Sequence, residues 1–120
     1  MSLGATELLA ILSIGYATSG RGEGISLREA LSRAEYSVRR GSLKPSDLLP
    51  FLKLDPMLVR QWLAYSEDKR TSGGWYVLDT GEIGTVAPPR QKVRFDSVDE
   101  AVAEFVVREL DFWTDNVAAG

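Results

Sequence analysis

The sequence predicts an α+β fold: an N-terminal helical group, a three-stranded antiparallel meander, and a C-terminal helix packed on the sheet. Three observations predict it. Apolar residues recur at helical spacing through most of the first seventy positions, the period shortens to alternation between Trp75 and Phe95, and a sustained helical stripe returns from Val98. Three short strands cannot bury their own apolar face, so the last helix is their natural cover.

The first element is the apolar run Leu8-Leu9-Ala10-Ile11-Leu12-Ser13-Ile14. It is shorter than the about 20 apolar residues a bilayer span requires. No Lys or Arg precedes it and Glu7 stands at its edge, unlike the cationic start of a secretory signal. A buried first helix is predicted, in a cytoplasmic chain with no membrane partner. Ser19-Gly20-Arg21-Gly22-Glu23-Gly24 reads as a loop.

The second helix is announced by a capping box, Ser26 with Glu29, followed by Leu27, Ala30, Leu31, Ala34 and Val38 at helical spacing. Gly41 stands where a C-terminal cap belongs, and Arg28, Arg33, Arg39 and Arg40 lie opposite the stripe. Pro45 opens a short helix bearing Leu48, Leu49 and Leu52 and limited by Pro50. Asp55-Pro56 opens the next, an N-cap before a first-turn proline, with Leu58, Val59, Trp62 and Leu63 on one side.

Beyond the polar stretch Ser66 to Gly74, strands are predicted at Trp75–Leu78, Ile83–Val86 and Gln91–Phe95. Asp79-Thr80-Gly81-Glu82 supplies the hairpin, with Gly81 suited to positive φ. Pro88-Pro89 loosens the second connection and blunts a sheet edge. Val93 and Phe95 alternate with Lys92 and Arg94, one face buried and one solvated. A second capping box, Ser97 with Glu100, starts the final helix, whose stripe is Val98, Ala101, Val102, Phe105, Val106, Leu110 and Trp113.

A length of 120 residues suits one domain over 1–120. The chain has no histidine and no cysteine, which removes the usual general base of hydrolases, thiolate nucleophiles, zinc fingers and disulfides. No cofactor or metal is expected. Net charge is −3, divided unevenly: +2 over residues 1–70 and −5 over residues 71–120. An acidic half repels nucleic acid and attracts basic partners.

Four segments bear on chemistry. Val77-Leu78-Asp79-Thr80-Gly81 matches the apolar-apolar-Asp-Thr-Gly loop of aspartic proteases, but it occurs once, is followed by Glu82, and is accounted for as a tight turn. Residues 46–66 followed by a hairpin have the order of a winged helix-turn-helix, the alternative function. Its recognition helix offers only Arg60 and Gln61 to bases, leaving phosphate contact to Arg39, Arg40, Lys69 and Arg70. Asp99, Glu100, Glu104, Glu109 and Asp111 on the last helix read as a solvated face, with Glu100 and Glu104 one turn apart. The segment from Tyr65 to Tyr76 is the most distinctive, packing charges of both signs, hydroxyls and glycines directly before Trp75-Tyr76. Neighbours on a strand face opposite ways, so one of this pair should be exposed or covered by another element.

That segment, with the strands and the Phe95-Asp96-Ser97 entry to the last helix, resembles small bacterial immunity proteins that neutralise toxins of contact-dependent and related interbacterial systems. The resemblance spans residues 58–113 and leaves the N-terminal half unassigned. It implies a non-enzymatic, tight-binding inhibitor of a cognate toxin domain in the producer's cytoplasm. The acidic half suits a basic toxin such as a nuclease. The expected partner-binding residues are Glu67, Asp68, Lys69, Arg70, Trp75, Tyr76, Asp99, Glu100 and Glu104. An uncharacterised bacterial interaction domain is the further alternative.

Overall fold

A computed structural model describes residues 3–18, 24–68 and 73–119. Helices α1 (Ala5–Leu12), α2 (Ile14–Thr18), α3 (Leu27–Arg33) and α4 (Tyr36–Arg39) come first, then a 3-10 turn at Arg40–Ser42, α5 (Pro45–Leu54) and α6 (Pro56–Asp68). Strands β1 (Trp75–Val77), β2 (Glu82–Thr85) and β3 (Lys92–Arg94) follow, and α7 (Val98–Ala119) closes the described chain. The strands form one sheet in the order β1-β2-β3 with both pairings antiparallel, and α7 packs on β1 and β2. The architecture is α+β, as the change of period predicts.

Helix α7 is the centre of the molecule. Ala101, Val102, Phe105, Val106 and Leu110 are buried along it, against the sheet and against α3, α4, α5 and α6. Its start is fixed locally: Ser97 Oγ accepts from the Glu100 amide at 3.2 Å, while the hydroxyl donates to the Glu100 carboxylate at 3.1 Å. The Ser26 hydroxyl oxygen likewise accepts from the Glu29 amide at 3.1 Å to begin α3. Asp55 accepts from the Met57 amide at 3.0 Å at the head of α6. In the core, Trp62, Tyr65 and Phe105 meet at steep angles with centroids 5.2 to 6.2 Å apart. Trp62 also donates from Nε1 to the Leu12 carbonyl at 2.9 Å, tying α6 to the end of α1.

The second predicted helix is in fact two. It breaks after Ala34, where Glu35 takes a left-handed conformation with φ 52°. The cause is burial: Ala34 and Tyr36 are both in the core, yet residues two apart on an unbroken helix lie about 200° apart around its axis. The kink turns Tyr36 inward and leaves Val38, expected in the core, 82 % exposed. Gly41 lies inside the 3-10 turn and not at a left-handed cap. Helix α5 also runs past Pro50, whose ring faces solvent. Gly81, by contrast, does adopt φ +92° in the β1–β2 turn, and a Cβ there would stand 2.7 Å from the Phe95 carbonyl oxygen.

No helix among the described residues is long and apolar enough to cross a membrane.

Candidate functional site

Strand β1 divides the expected binding residues between two environments. Tyr76 pairs with Gly84 inside the ladder, so the amides of Trp75 and Val77 point away from β2. Both are capped by side chains: Trp75 N–H donates to Glu109 Oε1 at 2.7 Å and Val77 N–H to Ser66 Oγ at 2.9 Å. The β1 edge is thereby closed by α6 and α7.

Trp75 lies on the α7 side. The Arg108 guanidinium stands 4.8 Å from its ring centroid and donates to Glu104 at 2.8 Å, so the tryptophan is roofed by an ion pair. Beneath it Glu109 is fully buried, and the Tyr65 hydroxyl donates to its other carboxylate oxygen at 2.8 Å. Burial and the Glu109 charge together raise the Tyr65 phenol far above its ordinary pKa. Further along α7, the Tyr36 hydroxyl donates to Asp111 at 2.9 Å, and Arg40 approaches Asp111 at 3.7 Å and Asp115 at 2.7 Å. Burial lifts the Asp111 carboxyl above its ordinary value, against the downward pull of the Tyr36 hydrogen bond and the Arg40 charge.

The carboxylates of α7 are therefore only in part the solvated face their sequence suggests: Glu100 and Asp115 are exposed, whereas Glu109 is buried and Glu104 and Asp111 are partly covered. Glu104, Glu109, Asp111 and Asp115 are engaged by Arg108, Tyr65, Trp75, Tyr36 and Arg40. Asp99 and Glu100 sit in the first turn at the hairpin end of the sheet, Asp99 partly buried and Glu100 exposed.

The other face of the sheet differs. Register places Tyr76, Gly84 and Lys92 in one row, with Glu82 and Arg94 paired beside them. Leu78, Lys92 and Arg94 are exposed, and Tyr76 is partly buried. The Tyr76 ring lies over Gly84, where an added Cβ would be 2.5 Å from Oη, so glycine makes room for the aromatic. The Tyr76 hydroxyl donates to Glu82 at 2.7 Å, and burial followed by that carboxylate raises its pKa. A cleft opens on each side of this ring. One of about 430 Å³ is lined by Leu63, Ser66, Glu67, Tyr76, Leu78 and Asp79; the other, of about 350 Å³, by Tyr76, Thr85, Val86, Arg90, Gln91 and Lys92.

Of the expected binding residues, Tyr76 and Glu67 share one cleft, and Asp68 is exposed at the adjoining end of α6. Trp75 and Glu104 meet on the opposite side of the sheet through Arg108. Lys69 and Arg70 lie outside the described residues. Sequence reasoning missed Glu82, Arg90, Lys92 and Arg94 as neighbours of Tyr76. Strand alternation from Tyr76 and Lys92 was the signal that places three of them on its face.

The arrangement also bears on the alternative chemistries. Asp79 is exposed in the β1–β2 turn, where the Gly81 amide donates to the Leu78 carbonyl at 3.0 Å. Arg39 pairs with Glu35 at 2.9 Å, and Arg40 with the α7 carboxylates, so two of the four expected phosphate contacts are engaged by acids, the other two, Lys69 and Arg70, lying outside the described residues. Among the described residues no group of three or more His, Cys, Asp or Glu is placed to hold a metal. Comparison with known proteins finds no matching family model, no matching curated protein and no matching solved structure.

Proposed function

We propose that this chain is a non-enzymatic protein-binding domain that neutralises a cognate toxin domain, with the outer sheet face around Tyr76 as its contact surface. One observation carries the placement: an aromatic ring held by the Gly84 gap and the Glu82 carboxylate stands between two clefts on an otherwise exposed, charged face. A half-buried tyrosine with a fixed hydroxyl loses little side-chain freedom on binding, which is why such residues anchor interfaces. Its position on strands braced by α7 keeps the face in one shape before the partner arrives.

The neutralising role rests on the resemblance of residues 58–113 to immunity proteins. A basic toxin such as a nuclease fits the acidic α6 end of this face, where Glu67, Asp68 and Asp79 are exposed. Inhibition then consists of covering the toxin's substrate surface, and it calls for no group on this chain to exchange a proton or form a bond. The cytoplasm of the producing cell is where such cover is needed.

The test is to ask whether a toxin gene lies immediately upstream of this gene, whose absence would count against the assignment, and to co-express the chain with the domain it encodes. Wild type should restore growth and co-purify with that domain in equal amounts, whereas Tyr76→Ala, shown to be folded, should not. Growth arrest despite full expression of wild type would end the toxin-inhibitor assignment. Full protection by Tyr76→Ala would remove the outer sheet face from it.

A further inference from the structure

The two edges of the sheet are treated differently. At β1 the outward amides are consumed by Glu109 and Ser66. At β3 the ladder uses alternate positions: the Thr85 amide donates to the Gln91 carbonyl at 3.0 Å and the Phe95 amide to the Gly81 carbonyl at 2.9 Å. Gln91, Val93 and Phe95 thus face β2, and the backbone groups of Lys92 and Arg94 point outward. No backbone hydrogen bond among the described residues uses the outward amides of Lys92 and Arg94. Their side chains are exposed on the Tyr76 face, and Arg90, exposed beside them, lines the same cleft as Lys92. None of these three cations has a carboxylate within 4.0 Å among the described residues. The connection leading into β3 is braced, with the Gln91 amide donating to Thr85 Oγ1 at 2.8 Å.

We propose that β3 is a docking edge that accepts an extended acidic segment of the protein partner as a fourth strand. This rests on the protein-binding function above and specifies the partner's chemistry at that site. Main-chain hydrogen bonds to Lys92 and Arg94 supply the pairing, as in other strand additions. Charge selects the occupant. A second copy of this chain pairing antiparallel about Val93 would set Lys92 opposite the copy's Arg94, and like charges directly opposite destabilise a pair. A segment with Asp or Glu at two alternate positions places a carboxylate opposite each cation on the Tyr76 face. An apolar residue between them falls on the Val93 side, where the sheet meets the core. The acidic strand and the basic body of the partner then meet opposite ends of one face.

The probe is a short blocked peptide, Thr-Glu-Val-Glu-Thr, titrated into the ¹⁵N-labelled full chain. The Lys92 and Arg94 amides should shift and exchange more slowly, with Val93 little changed. A peptide methylated at every amide, and one with Lys in place of Glu, should each bind about tenfold more weakly or worse. Arg94→Pro removes one outward amide while sparing the β2 ladder, and it should lower affinity about tenfold with the other amide signals retained. No perturbation at low-millimolar peptide, or equal binding by the methylated or Lys peptide, overturns the strand addition. These readouts require no toxin, so they fail or succeed separately from growth protection.

Discussion

At the scale of single residues, Glu109 is the group on which the binding strand depends. Its two oxygens receive the Trp75 amide and the Tyr65 hydroxyl inside the protein, so one side chain joins β1 and α6 to α7. Glu109→Ala takes the acceptor from two partly buried donors and should lower stability by about 2 kcal/mol or more in urea unfolding. Tyr65→Phe leaves one oxygen of the buried Glu109 carboxylate without that donor, and about 2 kcal/mol is expected. The double variant should fall short of the sum, because both changes break the same bond. Additive losses would show that Tyr65 and Glu109 act independently. The phenols set a pH dependence as well. Tyr36 and Tyr65 hold their protons in the fold far above the ordinary value of 10.0, so above that pH the unfolded chain binds fewer protons than the native one. Their stabilisation is fully present below pH 10 and is lost as pH rises beyond it. The alkaline decline in denaturation midpoint should be shallower in Tyr65→Phe, and an unchanged slope would show that other groups drive it.

At the scale of elements, Gly84 links strand geometry to the binding face. A Cβ at this position meets Tyr76 Oη at 2.5 Å and the Gln91 carbonyl oxygen at 2.7 Å. The latter is backbone of the β3 entry and cannot rotate aside. Gly84→Ala should therefore cost roughly 2 kcal/mol and disturb both the Tyr76 ring and the β3 edge, as read by thermal unfolding and tyrosine ring shifts. Retention of both signals and stability would mean that the strands part without strain. The elements themselves were largely legible, since the capping boxes, Asp55-Pro56, the Gly81 hairpin and the α7 stripe all reflect local chemistry written in neighbouring residues. What escaped the sequence was relational. Val38 and Tyr36 compete for the interior, and helical spacing favours Val38 until the core demands the larger ring. Glu109 and Asp111 of α7 looked solvated because their partners, Tyr36, Arg40 and Tyr65, lie between 44 and 75 positions away in the chain. The Trp75-Tyr76 pair did reveal that its members must part, but not which side α7 would claim.

At the scale of the whole molecule, the outer face is electrically polar. Glu67, Asp68 and Asp79 stand at the α6 end, and Arg90, Lys92 and Arg94 at the β3 edge, with Tyr76 between the two groups. Exposed charges act mainly during approach, while a buried ring acts after contact, so kinetics should separate them. Tyr76→Ala should weaken the complex with the toxin domain by about 2 kcal/mol or more, chiefly through faster dissociation. Neutralising Glu67 and Asp68 together should slow association at low salt, and the deficit should shrink as added salt shortens the range of their field. Glu104→Gln is expected to leave both rates nearly unchanged, because Arg108 already holds that carboxylate on the far side of the sheet. Its effect belongs instead to stability, through the Arg108 roof over Trp75. Stopped-flow association and dissociation at two salt concentrations would decide the matter. A large association defect in Glu104→Gln, with Glu67 and Asp68 silent, would move the contact surface from the Tyr76 face to α7.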